Sequence, residues 1–179
     1  MIKLITASIL FLLIVLKTQI SVFDLSITTP DGNEQLLNSF QGKQLMVVVL
    51  PVTYTAADTA LLQLLDTLNT NYSDSITMIG IPSIEDGYTD DDKNNLMDWY
   101  RSYLGESFII GAGVYIHKTS PSQSPLFSYF THADQNGYFD EDVYGPGEKF
   151  FVDVNGNLNG VSTPDAEFNE DIFKSMISK

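Results

Sequence analysis

Two apolar runs separated by a helical stripe limit what this chain can fold into. QLMVVVL at Gln44–Leu50 and SITMIGI at residues 75–81 are continuous and rich in branched side chains, the pattern of strands covered on both faces. Between them Leu61, Leu65, Leu68 and Tyr72, with Leu62 and Leu64 alongside, recur at helical spacing over residues 56–72. A connection of that length carries the chain back to the same end of a sheet, so the two runs are expected to be adjacent and parallel.

The segments around this unit extend the pattern. SVFDLSI at residues 21–27 alternates like a half-buried strand and runs into Pro-Asp-Gly at residues 30–32, a turn signal that predicts a hairpin. Thr89 followed by Asp90, Asp91 and Asp92 resembles a capping box opening a helix with Leu96, Trp99, Tyr100 and Tyr103. A short strand is predicted at residues 114–117 and a short helix at residues 125–130. EKFFVDV and NLNGV read as two strands joined by Asn155-Gly156. A last helix at residues 166–177 turns Phe168, Ile172, Phe173 and Met176 inward, and residues 132–147 read as an exposed acidic loop. The order predicts an α/β sandwich with a central mixed sheet and helices on both faces. Its 179 residues suit one such domain, residues 21–179.

The N-terminus is of another kind. Residues 2–16 (IKLITASILFLLIVL) form an apolar run interrupted by Lys3, Thr6 and Ser8. This predicts an apolar helix serving as an export signal or a membrane anchor over residues 1–20. The run is about as long as a signal-peptide core and shorter than the roughly 20 residues that span a bilayer with ease, which favours cleavage. LKTQISVF offers no small-residue cleavage pair, which favours retention and membrane contact through residues 2–20. Orientation is clearer: Lys3 precedes the run and all 23 acidic residues follow residue 20, so the domain is expected outside the cytoplasm. It is either membrane-anchored there or, after cleavage, secreted or periplasmic.

Charge and composition narrow the function. Against the 23 acidic residues stand 9 basic ones, a formal charge of −14 that opposes binding to a nucleic-acid backbone. Cysteine is absent, which removes disulfides, thiolate nucleophiles and Cys-based metal sites. With His117 and His132 the only histidines, no metal centre and no cofactor is expected.

Four collinear stretches carry a family resemblance. FDLSITTPDGNEQLLNSFQGKQLMVVVLPV at residues 23–52, MIGIPS at 78–83, SPLFSYF at 124–130 and KFFVDVNGN at 149–157 are similar to segments of the glutathione peroxidase branch of the thioredoxin-like superfamily. The resemblance implies a thioredoxin-like fold from about residue 22 to residue 177. It also implies where the catalytic tetrad of that family would lie. The reactive cysteine or selenocysteine falls at Thr55, the glutamine at Glu85, and the tryptophan-asparagine pair at Gly145 and Pro146. All four are replaced, and the related copper-delivery proteins would need cysteines as well.

Substitute chemistry at these positions is weak. A threonine hydroxyl needs an adjacent base, and Glu85 is a single carboxylate without an orienting partner; capping of the first long helix by Thr53 or Thr55 is the simpler role. Asp134 with Asn136, and Asp153 with Asn155 and Asn157, imitate the start of a calcium loop but lack its glycine and its closing glutamate. Tyr138, Phe139 and Tyr144 lie within the acidic loop and are candidates for a contact surface. The leading expectation is therefore a non-catalytic binding or assembly subunit of a larger complex with a protein partner. The alternatives are a non-redox enzyme reusing the cleft around Thr55, Glu85 and Pro146, or a redox partner that borrows another chain's cysteine.

Overall fold

The computed structural model describes residues 20–178, so the expected apolar helix of residues 1–20 lies almost entirely outside the described residues. Two short strands, β1 (Ser26–Thr28) and β2 (Glu34–Leu36), pair antiparallel across the Pro30–Gly32 turn as the predicted hairpin. The strand expected from residue 21 begins later, because residues Val22–Asp24 form a 3-10 turn. The Ser21 hydroxyl accepts from the Phe23 N–H, and the Asp24 carboxylate accepts from the Ser21 N–H at 3.1 Å, closing a capping box that breaks the alternation.

The main sheet has five strands. β3 (Gln44–Leu50) pairs parallel with β4 (Ile76–Pro82), Val47 opposite Ile79, across helix α1 (Ala56–Tyr72), as the sequence requires. After α2 (Lys93–Tyr103), the two-residue strand β5 (Ile109–Ile110) adds parallel to β4. On the other flank, beyond α3 (Pro125–Thr131) and α4 (Ala133–Asn136), β6 (Lys149–Val152) runs antiparallel to β3 and pairs with β7 (Leu158–Ser162). The order is β5-β4-β3-β6-β7 and the sheet is mixed. Helix α5 (Glu170–Ile177) ends the described chain.

Alternating residues of β3 divide the core into two layers. Leu45, Val47 and Val49 face Val22, Phe23, Leu126, Phe127 and Phe130 on one side of the sheet. Met46, Val48 and Leu50 face Leu62, Leu65 and Leu68 of α1, Leu96 and Tyr100 of α2, and Phe173 of α5 on the other. Burial of each such leucine contributes about 2 kcal/mol, against about 1 kcal/mol for a helix cap, so the stripe rather than the cap attaches α1.

Several expectations are corrected. Helix α2 starts at Lys93 and not at Thr89, since the Thr89 hydroxyl closes a separate turn by accepting from the Asp92 N–H at 3.3 Å. The Asp92 carboxylate is held by the Tyr54 hydroxyl and the Asn95 amide and does not cap the helix. Residues 114–117 make one bridge, Ser83 with Val114, because the N–H groups of Ile116 and His117 are taken by Glu85. α5 begins after Asn169, whose side chain caps Asp171 and Ile172, while Pro164 and the turn at residues 163–166 precede it. The acidic loop is not wholly exposed, because it contains α4 and packs Val143 and Phe139 on the core.

Candidate functional site

The C-terminal ends of β3 and β4 meet the approach to β6, and the four positions singled out from the sequence lie along this edge. Beyond β3 the chain passes through Tyr54, in the left-handed region at φ 56°, into the N-cap of α1. The Thr55 hydroxyl accepts from the Asp58 N–H at 3.1 Å, and the Asp58 carboxylate accepts from the Thr55 N–H at 3.0 Å and from the Thr53 hydroxyl at 2.6 Å. Burial pushes the Asp58 carboxyl up, but these bonds from Thr53 and Thr55 outweigh it and hold the group below its ordinary value. Thr55 is thus a helix cap, and the Asp58 carboxylate beside it is already committed to the Thr53 hydroxyl and the Thr55 N–H.

Glu85 follows β4. Its Oε2 accepts from the Ile116 N–H at 3.0 Å and the Ser83 hydroxyl at 3.2 Å, and its Oε1 accepts from the His117 N–H at 3.3 Å. The carboxylate therefore ties residues 116–117 to the end of β4. Gly145 adopts φ 123°, and a Cβ there would lie 3.7 Å from Asp86 Oδ1, which brings the residue-145 turn against the turn after β4. Asp86 Oδ2 is buried with no hydrogen-bond partner. Pro146 follows in the same turn, where the Glu148 N–H donates to the Gly145 carbonyl and the Gly147 N–H to the Val49 carbonyl.

Two charged groups that sequence reasoning missed sit beside these positions. Glu148 is completely buried; one carboxylate oxygen accepts from the Tyr144 N–H at 2.5 Å and the other has no partner. Burial pushes its carboxyl up to about 7. Lys149 is buried too, with Nζ donating to the Gly147 carbonyl at 2.6 Å and lying 4.3 Å from the Phe168 ring, and burial lowers its ammonium to about 8. Lying next to the apolar FFV run, neither residue breaks a hydrophobic pattern that would have drawn notice.

The other candidates are distributed elsewhere. His117 Nδ1 is 3.3 Å from Asp142, Lys118 Nζ is 2.7 Å from Asp140, and both pairs fasten the acidic loop to the end of the residue 114–117 segment. His132 Nδ1 lies 2.9 Å from the Ser128 carbonyl and 3.0 Å from the Thr131 hydroxyl. Asp153 Oδ1 accepts from the Asn155 and Asn157 N–H groups, closing an Asx turn. Among the described residues no group of three or more His, Asp or Glu side chains converges to hold a metal ion. Tyr138 and Tyr144 are exposed, whereas Phe139 is half-buried against the core.

The sequence matches no protein-family model and no curated protein. The fold, however, is shared with solved glutathione peroxidases. Trgpx, in its apo form, superposes with a TM-score of 0.65 at 18% identity over 90% of this chain and 98% of that one. GPX1 of T. cruzi gives 0.60 at 17% identity over 88% and 94%. A thiol:disulfide interchange protein of Chlorobium tepidum gives 0.60 at 17% identity over 90% and 95%. Such identities establish architecture alone. The described chain has a thioredoxin-like fold, similar to that of glutathione peroxidases, built on a sequence that contains no cysteine.

Proposed function

We propose that this protein is a non-catalytic, exported thioredoxin-like module that acts as a binding or assembly subunit of a larger complex. The observation that carries the reading is the state of the Thr55 position. Where the resemblance places a reactive thiol or selenol stands a hydroxyl locked into a capping box, and Glu85, the counterpart of the glutamine, is occupied by two backbone N–H groups. Exposed Tyr54, Tyr138 and Tyr144 supply aromatic surface suited to contact. The cavities lined by Ser26, Ile81 and Leu126, by Lys43, Asn69 and Ser107, and by Ile84, Tyr88, Asp90 and Gly113 do not include Thr55, Glu85 or Pro146.

The test is to cross-link the full chain in its own cells and weigh what is recovered. A stoichiometric assembly with another polypeptide is the expected result, together with a retained N-terminus if residues 2–20 serve as anchor. A monomer throughout would overturn the binding role, and a mature first residue near Ser21 would overturn the anchored version of it.

A further inference from the structure

The turn that follows Glu85 shapes a recess of its own. A cavity of about 250 Å³ opens between Ile84, Tyr88, Asp90 and Gly113. Its walls are mixed, with Ile84 and the Tyr88 ring supplying apolar surface and Asp90 a carboxylate. A Cβ on residue 113 would lie 2.1 Å from the Tyr88 ring, so this wall exists because residue 113 is glycine. Asp90 is the one charged residue of the lining, and it is exposed. Two residues on, Asp92 accepts from the Tyr54 hydroxyl at 3.0 Å, and the Tyr54 ring lies 4.6 Å from that of Trp99. One short turn therefore lines the cavity with one carboxylate and holds a second carboxylate against an aromatic pair whose outer ring is 45% exposed.

The carboxylates of this turn take part in no ion pair among the described residues, although Lys93 follows them in the chain. Among the described residues the ion pairs are His117 with Asp142, Lys118 with Asp140 and Lys174 with Glu170, and none reaches Asp90, Asp91 or Asp92. A side chain that fits must have an apolar stem for Ile84 and Tyr88 and a cation at its end for Asp90. Lysine and arginine both meet that description, but a planar guanidinium also stacks on aromatic rings and loses hydration more readily. A purely apolar side chain would gain nothing from Asp90. The formal charge of −14 attracts a cationic segment from a distance. We infer that the cavity between Ile84, Tyr88, Asp90 and Gly113 receives an arginine side chain from a partner polypeptide, with the Tyr54–Trp99 pair supporting the adjoining part of the same segment. This names the partner chemistry for the binding role proposed above and rests on that reading.

Trp99 is the only tryptophan in the chain, so its emission reports on this face directly. The full chain in neutral detergent is titrated with an arginine-serine repeat peptide, and with lysine-serine and glutamate-serine peptides of equal length, at about 150 mM NaCl to screen long-range attraction. A saturable change with the arginine peptide is expected, at least about tenfold tighter than with lysine and absent with glutamate. Asp90→Asn should weaken it by about tenfold or more. Asp74→Asn, which removes an equal charge just before β4 at the opposite end of that strand, should change it less than about twofold. Circular dichroism establishes that each variant is folded. No saturable response, equal affinity for lysine, or equal loss in the Asp74 and Asp90 variants would each overturn the inference. If the peptide fails while the chain is still recovered in a stoichiometric assembly, the arginine assignment falls and the binding role stands. If the peptide binds to a chain that is monomeric in cells, the cavity's preference stands and the binding role falls.

Discussion

At the scale of single residues, Glu148 is the group whose chemistry departs furthest from its type. Its carboxyl is fully buried, has one oxygen without a partner, and is raised from an ordinary value of 4.5 to about 7. The folded state therefore holds this proton to higher pH than the unfolded chain does. Stability from this site is complete below about 4.5 and is lost as the pH rises toward 7, by a shift on the order of 3 kcal/mol. Glu148→Gln removes the ionisation while its amide oxygen still accepts from the Tyr144 N–H. The variant should match the parent at about pH 4 and exceed it by about 2 kcal/mol at about pH 7.5, with Lys149 taking back part of the gain because its ammonium loses a neighbouring negative charge. Urea denaturation at the two pH values measures the difference. Parallel pH profiles for the two proteins would show that Glu148 is hydrated when ionised.

At the scale of elements, the acidic loop shows how side-chain bonds replace regular structure. Asn136 is 2% exposed and sits at the end of α4. Its amide nitrogen donates to the carbonyls of Tyr129, Phe130 and Phe139, and its oxygen accepts from the N–H groups of Tyr138 and Phe139. Asn136→Ala leaves these backbone groups short of partners in a buried place, at a cost on the order of 2–4 kcal/mol. Amide exchange at Tyr138 and Phe139 should quicken more than exchange in β3, since the loop opens before the sheet does. Unchanged exchange there, or a loss below about 1 kcal/mol, would mean that the His117 and Lys118 pairs alone hold the loop. The same loop marks the limit of what the sequence discloses. β3, α1 and β4 were legible because each is a long run with one period, and β6 with β7 because Asn155-Gly156 specifies its turn. β5 has two residues and exists through pairing with β4, so no local pattern announces it. The starts of α2 and α5 were misplaced by three or four residues, because which of several polar side chains caps a helix is decided by tertiary partners such as Tyr54. The Thr55 cap was legible from its position, but the Ile84–Gly113 cavity joins residues far apart in the chain and was not.

At the scale of the whole molecule, a thioredoxin-like architecture is built without a thiol. The fold is similar to that of solved glutathione peroxidases and a thiol:disulfide interchange protein, and the chain contains no cysteine. Placing a cysteine at residue 55 tests whether the scaffold alone would activate one. In Thr55→Cys the sulfur would stand at the N-terminus of α1, where the helix dipole favours a thiolate. Opposing this is the Asp58 carboxylate, which already lies 3.0 Å from the residue-55 N–H, within a molecule of charge −14. No histidine, lysine or arginine is ion-paired with that carboxylate among the described residues. The thiol should therefore titrate near its ordinary value of about 8.5 and label slowly with maleimide at pH 6. Loss of the threonine cap should lower stability by about 1 kcal/mol. With Glu85 bound to Ile116 and His117, and Gly145 and Pro146 offering no side-chain donor, peroxide should be consumed no faster than by a free thiol in solution. A thiol titrating below about 7, with repeated turnover of peroxide at the expense of a reductant, would show instead that the helix terminus alone supplies the activation.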